Sequence, residues 1–117
     1  MSVIIDLYED PENVGYAASW VGDQHLNVFR LLDQNGSSVD ITTGTLGVTY
    51  TDIASGASYS FGAGTATITK ELAREGVISI LNPAAYPTTG NIRLTVSFTV
   101  SSVVRRFGPV VIQVLAP

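Results

Sequence analysis

Apolar and polar residues alternate without interruption from Ile92 to Val100, with Ile92, Leu94, Val96, Phe98 and Val100 on one side and Arg93, Thr95, Ser97 and Thr99 on the other. A period of two is the pattern of a strand with one buried and one wetter face. Burying those five apolar side chains contributes roughly 8 to 15 kcal/mol gross, at about 1.5 to 3 each, so the stretch predicts the anchor of a β core. Val110, Ile112 and Val114 alternate in the same way with Val111, Gln113 and Leu115, which predicts an antiparallel neighbour. Ser101-Ser102 marks the turn between the two, and Val103 to Phe107 opens the return strand. Gly108-Pro109 interrupts it, and a proline there implies an edge position or a bulge.

The same reading covers the rest of the chain. Val3, Ile4, Ile5 and Leu7 predict a short strand that Asp10-Pro11-Glu12-Asn13 and Gly15 break. Tyr16 to Val21, with small residues between Tyr16 and Trp20, reads as an arm or long loop rather than a core strand. His25 to Leu32 begins in alternation and then turns apolar on both faces, which requires a bulge or a neighbour against one face. Asp33-Gln34-Asn35-Gly36 is a hairpin signal, since Asn and Gly tolerate positive φ, and Val39 and Ile41 continue as the return strand. Leu46, Val48 and Tyr50 define a further strand; Ala54 to Gly64 predicts a turn, a short strand and a second turn around Tyr59 and Phe61. Thr65 to Lys70 is a short amphipathic strand, Glu71 to Glu75 about one helical turn before Gly76, and Val77 to Leu81 a strand stopped by Asn82-Pro83. With Ala84 to Gly90 as a loop, the chain predicts an all-β fold: a single immunoglobulin-like or jelly-roll-like antiparallel β-sandwich of seven or eight strands. Residues 1–23 form an acidic N-terminal arm or edge segment, and residues 24–117 the sandwich.

Composition sharpens this picture. At 117 residues the chain suits one domain with a single core, and with no cysteine it has neither a disulfide framework nor a thiolate metal site. The start lacks the basic and apolar regions of a signal peptide, and no apolar run is long enough to span a bilayer, so the expectation is a soluble protein made inside the cell. Charged residues make up only 14% of the chain and mean hydropathy is +0.30, which fits either a Ser/Thr/Gly-rich β surface kept soluble by hydroxyls or, the preferred reading, surface partly covered by other subunits. The first 23 residues carry a formal charge of −5 and the remaining 94 one of +1. A near-neutral body does not seek nucleic acid phosphates; an acidic segment suits a basic groove on a protein. That segment also carries Ile4, Ile5, Leu7, Tyr8, Tyr16 and Trp20, an apolar load beyond that of a solubilising tail. It is expected to lie on a neighbouring subunit or shell protein with its carboxylates facing basic residues there; the competing reading is an edge strand on its own domain.

Candidate chemistry is sparse. His25 is the single histidine, no Gly-x-Ser-x-Gly elbow exists, and Gly62-Ala63-Gly64 lacks the third glycine and long helix of a phosphate loop. Asp33, Asn35, Gly36 and Asp40 have a faint calcium-loop pattern, but the closing glutamate is missing and a hairpin accounts for all four. Asn35-Gly36-Ser37 matches a glycosylation sequon and is equally well a turn. Arg105 and Arg106, the one basic pair, read as a solvated strand end or as an interface clamp for carboxylates. Tyr16, Trp20, Tyr59 and Tyr86 are too scattered for a sugar platform and suit core or interface packing. No catalytic residue, metal or cofactor is expected.

Two stretches together resemble a known family. Asn27 to Thr43, a strand followed by Leu32-Asp33-Gln34-Asn35-Gly36-Ser37-Ser38-Val39-Asp40-Ile41-Thr42, resembles the opening of immunoglobulin-like domains in phage virion proteins, notably the N-terminal domain of baseplate upper proteins. Pro87-Thr88-Thr89-Gly90 before the long strand, and Asn91 to Val114 after it, resemble that domain's end, so the likeness covers about residues 26–115. In those proteins the domain heads a longer chain, whereas here it is nearly the whole sequence. By analogy of size and architecture, the resemblance implies a non-enzymatic virion structural protein, first a capsid decoration or cement protein and second a baseplate or tail component. It implies as partners a homotrimer of this chain and the major capsid protein or another virion protein, with neither nucleic acid nor membrane. The implied location is the virion, assembled in the host cytoplasm. A carbohydrate- or receptor-binding module is the rival reading.

Overall fold

In the computed structural model, which describes residues 4–62 and 64–117, eight strands form. They are β1 (Ile4–Tyr8), β2 (Gly15–Trp20), β3 (Leu26–Leu32), β4 (Thr45–Asp52), β5 (Thr67–Leu72), β6 (Val77–Leu81), β7 (Gly90–Val100) and β8 (Val103–Leu115). The first sheet runs β1-β3-β6-β5 and the second β2-β8-β7-β4. Antiparallel pairing holds from β3 onward, as the sequence predicts, but β1 joins β3 and β2 joins β8 in parallel, so both sheets are mixed.

The core is the layer between the sheets. Phe29, Leu31, Ile78 and Ile80 from the first face Ile92, Leu94, Val96, Phe98, Phe107, Val110, Ile112 and Val114 from the second, all buried. Val100, counted with the buried face on periodicity, is 37% exposed, because the β7–β8 hairpin runs on past the end of the core. The gross contribution of β7 is therefore that of four side chains, roughly 6 to 12 kcal/mol. β8 is central rather than an edge: Leu94 pairs with Val110 and Val96 with Phe107, so Thr95 opposes both Gly108 and Pro109 in a bulge. Gly108 takes φ +110°, and the Gly108-Pro109 peptide is cis.

Three other expectations change. After the Asp33 turn, Val39 and Ile41 are buried, yet they form no strand beyond one isolated Leu32–Ser38 bridge; the chain crosses instead to the second sheet. Their backbones are held by Val39 N–H to the Leu31 carbonyl at 3.0 Å and Ile41 N–H to the Ala73 carbonyl at 2.9 Å. Gly76 closes the 3-10 turn Ala73–Glu75 at φ +71°, and a Cβ there would stand 2.7 Å from the Val39 carbonyl oxygen, which only glycine avoids. Residues 54–61 form a loop joined to β4 by a single bridge, Thr51 to Ser58, in place of a short strand.

The N-terminal segment is the main correction. Its described part does not reach away as an arm. β1 and β2 are the edge strands of the two sheets, on the same side of the sandwich, and Leu7 is 1% exposed inside the core. Tyr16 to Val21, read as a loop, contains β2, whose residues 15–20 pair in register with residues 110–115. Val3, the first residue of the predicted strand, lies outside the described residues. Leu7→Ala is therefore expected to lower stability by about 2 to 5 kcal/mol in chemical denaturation. Trp20→Ala, at a half-exposed position, should stay within about 1 kcal/mol of the parent. Removing residues 1–22 should abolish the cooperative melt followed by circular dichroism.

Candidate functional site

Strand alternation decides which side chains are free to meet a partner. In the first sheet, residues opposite in parity to Leu7, Phe29 and Ile78 point outward: Ile4, Asp6 and Tyr8 on β1, Leu26, Val28, Arg30 and Leu32 on β3, Val77, Ser79 and Leu81 on β6. Register then places Ile4 beside Val28, Leu26 beside Leu81, and Leu72 of β5 beside Val77. Ile4 (47%), Leu26 (51%), Leu72 (53%) and Leu81 (36%) are exposed, whereas Leu32, Val77 and Ser79 on the same face are buried, so this outer face carries uncovered apolar side chains around a covered patch. Its centre carries one ion pair between in-register residues, with Arg30 Nε donating to Asp6 Oδ1 at 3.0 Å. The apolar excess on both sides of His25 to Leu32 is thus a strand with apolar residues on both faces, the outer one exposed at Leu26 and buried at Leu32, without a bulge in either of its ladders.

The second sheet presents a different outer face. Tyr16 (75% exposed), Ala18 and Trp20 on β2 stand beside Val111, Gln113 and Leu115 on β8, and the β7 and β4 columns hold Asn91, Arg93, Ser97, Gly47 and threonines. Arg106, opposite Ser97, is on this side and exposed, with no ion pair among the described residues.

Of the residues expected to contact a partner, Ile4 and Tyr8 lie on the first outer face, and Tyr16, Trp20 and Arg106 on the second. Ile5 and Leu7 point inward and are not available to one, since Leu7 is buried and Ile5 packs against the core. Arg105 clamps a carboxylate, but one of its own chain: its Nε donates to Glu9 Oε2 at 2.8 Å and its Nη2 to Glu9 Oε1 at 2.7 Å. The guanidinium also lies 5.4 Å from the centre of the Phe107 ring. Two of the five acids that give the N-terminal segment its charge therefore face basic residues of the same molecule. Sequence reasoning missed Leu26, Leu72 and Leu81; the usable signal was the two-sided apolar run ending in β3, which marks a strand with an outward apolar column.

The remaining candidates are structural. Asp33 Oδ1 accepts the N–H groups of Asn35 and Ser37 at 2.9 Å, and Asp40 Oδ1 accepts the Thr42 N–H at 2.9 Å and its hydroxyl at 2.6 Å. The Thr42 hydroxyl holds the Asp40 carboxyl below its ordinary value. Both aspartates cap turns, and no group of three or more potential metal ligands occurs among the described residues. His25 Nδ1 sits 3.0 Å from Ser19 Oγ, and no hydrogen bond joins the ring to a carboxylate among the described residues. Tyr50 donates from its hydroxyl to Asn82 Oδ1 at 2.8 Å, and burial, then the neighbouring Tyr86, pushes that hydroxyl well above the usual tyrosine value.

The Glu9 carboxyl is held below 4.5, first by its hydrogen bonds from Arg105 and then by the guanidinium charge. A carboxyl more acidic folded than unfolded stabilises the fold fully above about pH 4.5 and loses that contribution as pH falls through the lower folded value. Arg105→Ala should cost about 0.5 to 1 kcal/mol at neutral pH, discounted for partial exposure. Urea denaturation of variant and parent should show that gap closing as the pH drops well below 4.5.

No family model matches the chain, and no curated protein shows significant similarity to it. Among solved structures, the BTLA ectodomain superposes with a TM-score of 0.53 at 15% identity, over 95% of this chain and 98% of that one. Part of an endo-fucoidan hydrolase of glycoside hydrolase family 107 gives a TM-score of 0.43 at 14% identity, over 99% of this chain but 13% of the hydrolase, too little to carry any argument. The likeness is one of fold alone: the chain is an all-β, immunoglobulin-like sandwich.

Proposed function

We propose that this protein is a non-enzymatic virion structural protein, a decoration or cement subunit that stabilises a phage shell through contacts with itself and with the major capsid protein. The observation that carries this reading is the set of exposed apolar side chains on the outer face of the first sheet, Ile4, Leu26, Leu72 and Leu81, on a face that also holds the Asp6–Arg30 pair. An outer sheet face that reads as interior belongs against another protein surface. The low charge of the chain supports it, as does the resemblance of Asn27 to Thr43 and of residues 87–114 to the immunoglobulin-like domains of virion proteins. On the opposite outer face, Tyr16 and Trp20 are large exposed aromatics of the kind that anchor interfaces. Two faces on opposite sides let a subunit meet its own copies through one and the shell through the other. A baseplate or tail location uses the same contacts.

Light scattering should give a homotrimer, about three times the 12.4 kDa subunit. Leu26→Glu with Leu81→Glu should reduce it to a monomer whose melting temperature falls by no more than a few degrees, because both positions are exposed. Binding of labelled protein to particles that lack it, imaged on intact virions, should place it on the shell. A monomer at high concentration that leaves particles undecorated and binds on a glycan array would overturn this reading in favour of a carbohydrate-binding module.

A further inference from the structure

A sandwich has two seams. One is closed here, with β1 and β2 at the same side and β1 packed also on β8. The other, between β4 and β5, is open. A cleft of about 660 Å³ runs along it, lined by Leu46, Val48, Tyr50, Phe61, Ala66 and Ile68 among others. Leu46, Val48, Phe61, Ala66 and Ile68 are only partly buried, each packed on the core from one side.

The backbone along this cleft identifies what fits. β4 is a sheet edge, and along an antiparallel ladder alternate residues direct their N–H and C=O groups to opposite sides. The Tyr50 carbonyl accepts the Tyr59 N–H at 3.0 Å, and the Asp52 N–H donates to the Ala57 carbonyl at 2.8 Å, so these positions face the open side. Leu46 and Val48 share their parity, and neither has a backbone partner on that side among the described residues. The described part of the loop thus zips onto the far half of the β4 edge and leaves the near half without a backbone partner among the described residues. The cleft lining carries no charged residue, while the Lys70 ammonium stands at its near end, 3.0 Å from the Gly44 carbonyl oxygen and 3.4 Å from that of Thr42. An apolar small molecule leaves that row of donors and acceptors unused, whereas an extended peptide presents N–H and C=O groups at the spacing of the strand itself and pairs with it.

We propose that the β4 edge at Leu46 and Val48 accepts an extended segment of another protein. The segment continues the second sheet, places apolar side chains from every second residue into the cleft, and sets an acidic residue against Lys70. This site lies apart from the two outer faces and is independent of the virion reading.

The test uses the full chain and a capped octapeptide alternating valine with threonine and ending in glutamate, followed by amide hydrogen exchange and calorimetry. Saturable binding that slows exchange at Leu46 and Val48 at least tenfold is the expected result. N-methylation of every second peptide amide, on the edge facing β4, should weaken binding at least tenfold, and Lys70→Glu several-fold. Val48→Pro removes an edge N–H without breaking a ladder bond and should abolish binding. Should that variant fail to fold, the N-methylated peptide decides alone. Absence of protection at millimolar peptide, or equal binding of the N-methylated form, overturns the proposal. So does concentration-dependent protection of the same amides without peptide, which assigns the edge to a second copy of this chain.

Discussion

The dry layer between the two sheets is the constraint to which the rest of the molecule answers. Phe29, Leu31, Ile78 and Ile80 meet Ile92, Leu94, Val96 and Phe98, and a shift of any strand by one residue would turn its apolar set outward. That requirement explains why the Gly108-Pro109 step is absorbed as a bulge opposite Thr95, which returns Val110, Ile112 and Val114 to the inner face after Phe107. It also explains why Gly76 brings the backbone so near Val39: the crossing segment must deliver Val39 and Ile41 to the layer without a ladder of its own.

Much of this was legible in the sequence where burial is one-sided. β4, β7 and β8 alternate, β3 begins to, and β6 is rich in β-branched residues; all of these are local signals. β2 was not legible, because Ala17, Ala18 and Ser19 carry little hydrophobic contrast; the strand exists through its parallel register with residues 110–115, a partner no local window contains. The antiparallel expectation failed at β1 for the same reason. The exposed aromatics Tyr16 and Trp20 stood out by type alone. Leu26, Leu72 and Leu81 did not, since only the pairing of three strands brings them to one face. Arg105 was recognisable as a carboxylate clamp, but its partner, 96 residues away, required the fold.

Charge and shape act together in the segment that opens the chain. Asp6 and Glu9 are neutralised by Arg30 and Arg105, one pair on an outer face and one where the β7–β8 hairpin leaves the core. These pairings leave the net charge of −4 unchanged, but they leave only three of the five acids of the first 23 residues without an ion partner among the described residues, beside the exposed apolar side chains of the faces.

The parallel pairing of β2 with β8 also sets the order in which the molecule can be completed. Residues 15–20 precede residues 110–115 by 95 positions, so one edge of the second sheet has no template until all the chain between them has been made. Closing so long a loop comes late and slowly, and until it happens Tyr16 and Trp20 travel on an unpaired, sticky strand, although Leu7 can already dock through β3. A sheet tied across so long a separation gains its final form in one concluding step, and the state before that step is the one most exposed to aggregation.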